Sequence, residues 1–266
     1  MNPNCKKRMG AIRLENMKVI KQEEIAPAIF EIVLEGEMVE AMKAGQFLHL
    51  RVPDDAHLLR RPISISSIDK HKKQCHLIYR IEGSGTAIFS SLKPGDSLDV
   101  MGPQGNGFDL SELNKDSKIL LVGGGIGVPP LLEVAKQLHE RGVEITTVLG
   151  FATKDAVILE DELAQYSQVF VTTDDGSYGT QGNVSVVINE CDTEFDAIYS
   201  CGAPGMMKYI NQTFYDHPRA YLSLESRMAC GMGACYACVL KVPDSETISQ
   251  RVCEDGPVFK TGTVVL

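Results

Sequence analysis

No stretch of this sequence approaches the ~18 consecutive apolar residues a membrane-spanning helix needs, so no membrane association is expected. The opening residues, MNPNCKKRMGAIRLENMKV, are basic but have no apolar stretch behind them. A secretory signal is therefore not expected, and a cytoplasmic location follows. Positive charge is scarce as well. The 26 Lys and Arg against 35 Asp and Glu leave a formal charge of −9, which argues against broad nucleic-acid binding. Lys6, Lys7, Arg8, Arg13, Lys18 and Lys21 make the start locally basic, either as a solvated surface or as a dock for an acidic partner. The eight cysteines lack the even spread of a disulfide scaffold. No serine-centred nucleophile–base set is evident. Asp174 and Asp175, adjacent before Gly176, read as a turn and cannot flank a substrate as paired hydrolytic carboxylates do.

The 266 residues suffice for two domains and a small module, and 44% hydrophobic with 23% charged residues is a globular composition. From about residue 11 to 108, AIFEIVLEG, GQFLHLRV and HLIYRIEG read as short strands between turn signals, which suits a small antiparallel barrel or sandwich. The pattern then changes. KILLVGGGIGVPPLLEVAKQLHERG reads as strand, glycine loop and helix, VEITTVLGF and QVFVTTDDG as further strands, AVILEDELAQY as a helix, and FDAIYSCGAPGMMKYINQTFYD as strand then helix. Such alternation predicts a parallel sheet with helices on its faces. The expected organisation is multidomain β plus α/β. An antiparallel β-barrel at 9–110 is followed by a parallel-sheet nucleotide-binding domain at 111–223 and a small cluster module at 224–266.

Three cysteines fall within nine residues near the C-terminus, in the spacing Cys230-x4-Cys235-x2-Cys238-x14-Cys253. The x4-then-x2 opening matches plant-type 2Fe-2S ferredoxins, and four thiolates suit iron's preference for soft ligands. Structural zinc more often uses two C-x2-C pairs, of which only one is present; zinc stays the rival. Each thiol costs roughly 2 kcal/mol to deprotonate at pH 7, about 8 kcal/mol for four, which metal bonding would offset. Gly231 and Gly233 permit the backbone a tight wrap between ligands. Cys5, Cys75 and Cys191 read as ordinary cysteines, whereas Cys201 ends a predicted strand and opens Cys201-Gly202-Ala203-Pro204-Gly205. That is the carboxyl edge where open α/β sheets bind ligands, so a core role or a place beside a redox ring are both open.

Gly123, Gly125 and Gly127 form a G-x-G-x-G-x-x-P run rather than the dinucleotide fingerprint G-x-G-x-x-G, in strand–loop–helix context that favours a phosphate or ribose. Arg60-Arg61-Pro62-Ile63-Ser64 sits between predicted strands and offers guanidinium forks, a stiff backbone and a small hydroxyl. Ile78-Tyr79-Arg80 precedes a glycine turn, Gly83-Ser84-Gly85-Thr86, whose N–H groups could receive a pyrophosphate.

On these motifs the whole chain resembles the electron-transfer subunits of bacterial NAD-dependent dihydroorotate dehydrogenases, within the ferredoxin–NADP reductase structural family. The resemblance implies that Arg61, Pro62, Ile63, Ser64, Ile78, Tyr79, Arg80, Gly85 and Thr86 contact FAD, and that Gly123, Gly125 and Gly127 serve NAD. It also implies that Cys230, Cys235, Cys238 and Cys253 hold a 2Fe-2S cluster. Ser64 and Cys201 would lie nearest the exchange of hydride between nicotinamide and flavin. Electrons would then come from dihydroorotate, through a catalytic partner that alone carries FMN, to NAD as diffusible cosubstrate, with two copies of each subunit. The closing Gly262-Thr263-Val264-Val265-Leu266 departs from plant-type reductases, whose terminal aromatic stacks on flavin. Lys154 either faces solvent or approaches a 2′-phosphate, so NADH rather than NADPH rests on resemblance. Two rivals stay open: a reductase subunit of a bifurcating ferredoxin oxidoreductase or hydrogenase, and a non-catalytic metal-binding scaffold.

Overall fold

The computed structural model describes residues 12–191 and 194–266; Cys5, Lys6, Lys7, Arg8 and the first residues of the expected barrel lie outside them. Six strands, β1 (Arg13–Ala26), β2 (Ile29–Glu35), β3 (Phe47–Leu50), β4 (Arg61–Asp69), β5 (Gln74–Arg80) and β6 (Ser97–Gln104), close a barrel in the order β1-β2-β5-β4-β3-β6. Every pair is antiparallel, so the barrel, not the sandwich, is formed. Alternation along the strands fills the interior with Met17, Ile32, Leu34, Leu48, Leu50, Ile65, Leu77 and Tyr79. A short helix, α1 (Ser84–Phe89), follows β5 and seats Phe89 in that core.

One expectation is corrected here. Arg61 to Ser64 do not lie between strands but open β4, paired with β3 as Leu50↔Arg61, His49↔Pro62, Leu48↔Ile63 and Phe47↔Ser64. The proline is tolerated because it sits near the start of the strand, where a missing N–H costs least.

The second part is built on β7 (Lys118–Gly124), α2 (Pro129–His139), β8 (Glu144–Phe151), α3 (Glu160–Ala164), β9 (Gln168–Thr173), β10 (Thr180–Gln181), α4 (Val184–Ile188), β11 (Ala197–Cys201), α5 (Pro204–Thr213) and β12 (Ala220–Ser223). The sheet order is β10-β9-β8-β7-β11-β12, and all these neighbours are parallel. Leu120, Leu121 and Val122 are fully buried because helices cover both faces. Gly123 and Gly124 belong to β7 rather than to the expected loop, and only Gly125–Gly127 form the 3-10 turn before α2.

The last stretch carries the two-stranded β13 (Val239–Lys241) and β14 (Ser249–Arg251), then β15 (Val258–Lys260). β15 adds antiparallel to β12 as the seventh strand of the sheet. The cysteine segment is thereby anchored in the α/β core, where Cys238 and Cys253 pack with Phe47, Leu222 and Phe259. The barrel is joined to the sheet as well. Ile29, Ala44, Ile78 and Phe108 share one core with Leu121, Leu131, Leu149 and Tyr199. No helix among the described residues is long and apolar enough to cross a membrane.

Candidate functional site

The sheet order puts β7 beside β11 while the chain leaves them in opposite directions, to β8 and to β12. A crevice must open at their carboxyl ends, since no crossover covers that point. Two predicted segments meet there. Cys201 lies opposite Gly123 in register, and the Gly125–Gly127 turn lies over the Cys201-Gly202 peptide. A Cβ on Gly127 would stand 2.5 Å from Gly202 N and 2.6 Å from Cys201 O, so this glycine serves close backbone packing. Gly125 differs: its φ of +52° is left-handed and a Cβ there would meet open space, so its backbone is free to meet a ligand. Burial pushes the Cys201 thiol up to about 12, and it stays protonated at neutral pH.

The two neighbouring arginines have separate tasks. Arg60 forks onto Asp99, with Nη2 2.9 Å from both carboxylate oxygens, and Nη1 donates to the Asp99 and His49 carbonyls. Its charge is matched within the barrel. Among the described residues Arg61 pairs with no carboxylate; Nη1 donates to the Leu59 carbonyl at 2.6 Å, and the guanidinium lies across Gly85. A Cβ on Gly85 would stand 2.9 Å from Arg61 Nε. A cationic fork beside the first turn of α1 is a chemical match to a diphosphate. The Thr86 hydroxyl is occupied with that turn, accepting from the N–H of Glu82 at 3.0 Å and donating to the Gly83 carbonyl. The Tyr79 side chain points into the barrel core, where Gln22 Nε2 donates to its hydroxyl at 2.7 Å, so only its backbone faces outward. Ile78 packs into the shared core, and Arg80 pairs with Glu82. β5 packs against the glycine turn, which brings the two predicted ligand segments together.

One set was missed from sequence. His57 Nδ1 bonds both oxygens of Asp54 at 2.7 and 2.8 Å, and Nε2 meets Ser84 Oγ at 2.7 Å. The Asp-x-x-His spacing hints at the first contact, but nothing in sequence ties His57 to a serine 27 residues on. Its hydrogen-bond pattern is that of a nucleophile, a base and an orienter. Its place is the first turn of α1 next to Gly85 and Arg61, where an oriented hydroxyl is a chemical match to a phosphate oxygen. Lys154 Nζ lies 5.7 Å from the centre of the Tyr178 ring.

The cysteine loop is left-handed at Gly231 (φ +67°), Gly233 (φ +82°) and Tyr236 (φ +56°). These turns aim N–H groups at sulfur. Met232 and Cys235 donate to Cys230 Sγ at 3.4 Å, and Gly233 donates to Cys253 Sγ at 3.2 Å. Burial raises the Cys230 thiol, yet the Met232 and Cys235 N–H groups outweigh it and bring it down to about 7. Cys253 is lifted to about 12, first by burial and then by Cys238, whose sulfur is 3.3 Å away. No three Cys, His, Asp or Glu side chains converge on one point among the described residues. The sulfurs fall instead into Cys230 with Cys235 and Cys238 with Cys253. Two pairs, each with N–H donors, fit a two-iron core better than one tetrahedral ion.

Comparison with known proteins accords with this geometry. Residues 16–108 match an oxidoreductase FAD-binding domain, 121–212 an oxidoreductase NAD-binding domain, and 225–265 the iron-sulfur cluster binding domain of dihydroorotate dehydrogenase B. The dihydroorotate dehydrogenase B (NAD(+)) electron transfer subunit of Streptococcus pneumoniae is 85% identical over 255 residues, covering 96% of this chain and 100% of the relative. The chain belongs to the family of dihydroorotate dehydrogenase B (NAD(+)) electron transfer subunits. Its cofactors are accordingly FAD, NAD and an iron–sulfur cluster of the 2Fe-2S type. Another family member, from Streptococcus mutans serotype c, is 64% identical over 95% of this chain and 98% of its own. The fold is shared more widely. An NADH-dependent reduced ferredoxin-NADP oxidoreductase, solved in a study of flavin-based electron bifurcation, superposes with a TM-score of 0.83 at 31% identity, covering 94% of this chain and 89% of that one. A ferredoxin NADP+ reductase from Neisseria gonorrhoeae superposes at 0.65 with 17% identity, covering 77% and 92%, a likeness of fold alone.

Proposed function

We propose that this chain carries electrons from an FMN-containing dihydroorotate dehydrogenase catalytic subunit, through its own 2Fe-2S cluster and FAD, to NAD in pyrimidine biosynthesis. The carrying observation is the 85% identity across nearly the whole chain, against 31% for the bifurcating reductase. FAD, when bound, supplies the conversion between one-electron and two-electron chemistry that a cluster and a nicotinamide cannot share directly.

The residues divide the work. Arg61, with Ser84 and the backbone of Gly85 and Thr86, holds the FAD diphosphate, while Asp54 and His57 orient the Ser84 hydroxyl. Pro62, Ile63, Ser64 and the edge of Ile78, Tyr79 and Arg80 line the rest of the flavin. Gly123 lies at the carboxyl end of β7 and Gly127 packs the turn so that Gly125 meets the nicotinamide nucleotide. Ser64 and Cys201 shape the place of hydride exchange, where the partly buried Cys201 thiol keeps its proton. Cys230, Cys235, Cys238 and Cys253 hold the cluster. A division into 9–110, 111–223 and 224–266 follows these tasks.

The catalytic partner docks where the cluster loop is exposed. Met232 and Tyr236 are 47% and 58% exposed, and Met228 lies beside them half-buried. Methionine adapts to irregular contacts, and tyrosine joins apolar area to a polar tip. Two copies of each subunit and a cytoplasmic setting complete the reading. Mixing the anaerobic protein with the FMN-containing subunit should give a stable complex, by mass, that reduces NAD with dihydroorotate. Folded components that neither associate nor show that activity would refute the assignment.

A further inference from the structure

His49 and Gln104 are fully buried polar side chains that none of the functions above uses. His49 stands on β3 opposite Pro62 of the flavin strand, and Gln104 ends β6 opposite Phe47. Among the described residues, neither nitrogen of His49 nor Oε1 of Gln104 has a hydrogen-bond partner. An unmet polar group in a protein interior carries a desolvation cost that native structures avoid. Three such atoms at one place therefore call for a reason.

The backbone laid over them is the cluster loop. A Cβ on Gly231 would collide with His49 Nδ1 and stand 2.8 Å from both Gln104 Oε1 and His49 Cε1. Gly231 directly follows Cys230. The same wall also grips the far end of the ligand set. Asn106 N donates to the Gly256 carbonyl at 2.8 Å, and its amide donates to the carbonyls of Glu254 and Asp255 at 3.1 and 3.0 Å, just after Cys253. Burial, then the charges of Arg60 and Arg61, push the imidazole down to about 4, so at neutral pH it presents one N–H donor and one acceptor.

We propose that His49, seconded by Gln104, is a positioning residue that seats the Cys230 loop on the flavin strand and sets the cluster's affinity for an electron relative to FAD. An N–H dipole held beside the loop favours the more negative, reduced state, as hydrogen bonds toward the sulfurs do for iron–sulfur centres generally, and the low dielectric of the wall strengthens that dipole's effect. The effect concerns where one electron rests; no bond forms or breaks. The inference rests on the assignment of the cluster to Cys230, Cys235, Cys238 and Cys253.

The test uses intact, anaerobically prepared protein and the variants His49→Leu, His49→Gln and Gln104→Met. Iron, sulfide and FAD content are measured first, then the cluster midpoint by a spectroscopically monitored redox titration. All should retain both cofactors. His49→Leu should lower the midpoint by at least 59 mV, a tenfold change in a one-electron equilibrium. His49→Gln keeps an N–H and should recover most of that shift, and Gln104→Met should move the same way by less. Changes under twofold in both His49→Leu and Gln104→Met would overturn the proposal, as would His49→Gln matching His49→Leu. Loss of FAD with an unmoved midpoint would also overturn it, making His49 a flavin contact. Should His49→Leu not fold, an unchanged potential in Gln104→Met decides against it. Wild-type protein lacking iron and sulfide would instead defeat the underlying cluster assignment.

Discussion

Glu133 offers a direct test of how the barrel and the α/β sheet are fixed together. It is buried on α2, immediately after the nucleotide turn, and its Oε2 accepts the N–H of Ile68 on β4 at 2.9 Å. Gln137 Nε2 donates to its other oxygen at 2.7 Å, and Lys136 donates to the Ile68 carbonyl at 3.0 Å. Both backbone groups of Ile68 are thus met by one helix, beyond the stretch where β3 covers β4. Glu133→Ala removes two bonds to a carboxylate and strands a backbone N–H. That should cost about 2–4 kcal/mol, or roughly 4–16 °C in the thermal midpoint for a chain of this size. Glu133→Gln keeps an acceptor and should lose less than half of that. Burial raises the Glu133 pKa above its ordinary value. The folded chain therefore binds this proton more tightly, so the group's contribution is full below the ordinary carboxylate range and declines as pH rises through the raised pKa. Glu133→Gln should remove that slope. Thermal unfolding of the holoprotein at several pH values reads both effects. A Glu133→Ala midpoint within 1–2 °C of wild type, below the ~2–4 °C that each kcal/mol is worth, would refute the clamp. Equal losses in Ala and Gln would show that charge, not acceptance from Ile68, matters.

Other outcomes follow from the same contacts. Arg61→Ala should weaken FAD retention by ~1.5–3 kcal/mol on flavin titration, whereas Arg60→Ala should leave FAD affinity nearly intact and lower the unfolding midpoint through the loss of Asp99. Cys235→Ser should abolish stoichiometric iron and sulfide while FAD remains bound, measured by metal and flavin analysis, because a hard oxygen replaces a soft thiolate. Glu31 is held at about 2, first by its bond to His76 at 2.8 Å and further by Lys21 at 2.9 Å, against the resisting effect of burial. Its stabilisation is present above the ordinary value of 4.5 and is lost as pH falls from there toward 2. Acid unfolding of Glu31→Gln should lack about 1–2 kcal/mol of that dependence once solvent screening is allowed for.

What the sequence determined by itself is local and covalent in origin. Ligand spacing nominates the candidate cluster residues, because a loop must close on two irons within a few residues of backbone. Period-two and strand–helix alternation fixed the classes of the two larger parts, since one buried face imposes its period wherever it falls. Glycine at 231 and 233 announced the left-handed turns that other residues resist. Tertiary structure decided everything that depends on which segments meet. Arg60 and Arg61 are chemically identical neighbours, yet the first, just before β4, meets Asp99 and the second, opening β4, lies beside Gly85. The contacts of Ser84 with His57 and of Gly231 with His49 join residues far apart in the chain, so no spacing announces them. The cluster module reads as a separate compositional segment, but β15 completes the main sheet. Edge pairing follows from an open strand β12 and the path of the chain, and neither is written in the local pattern of side chains.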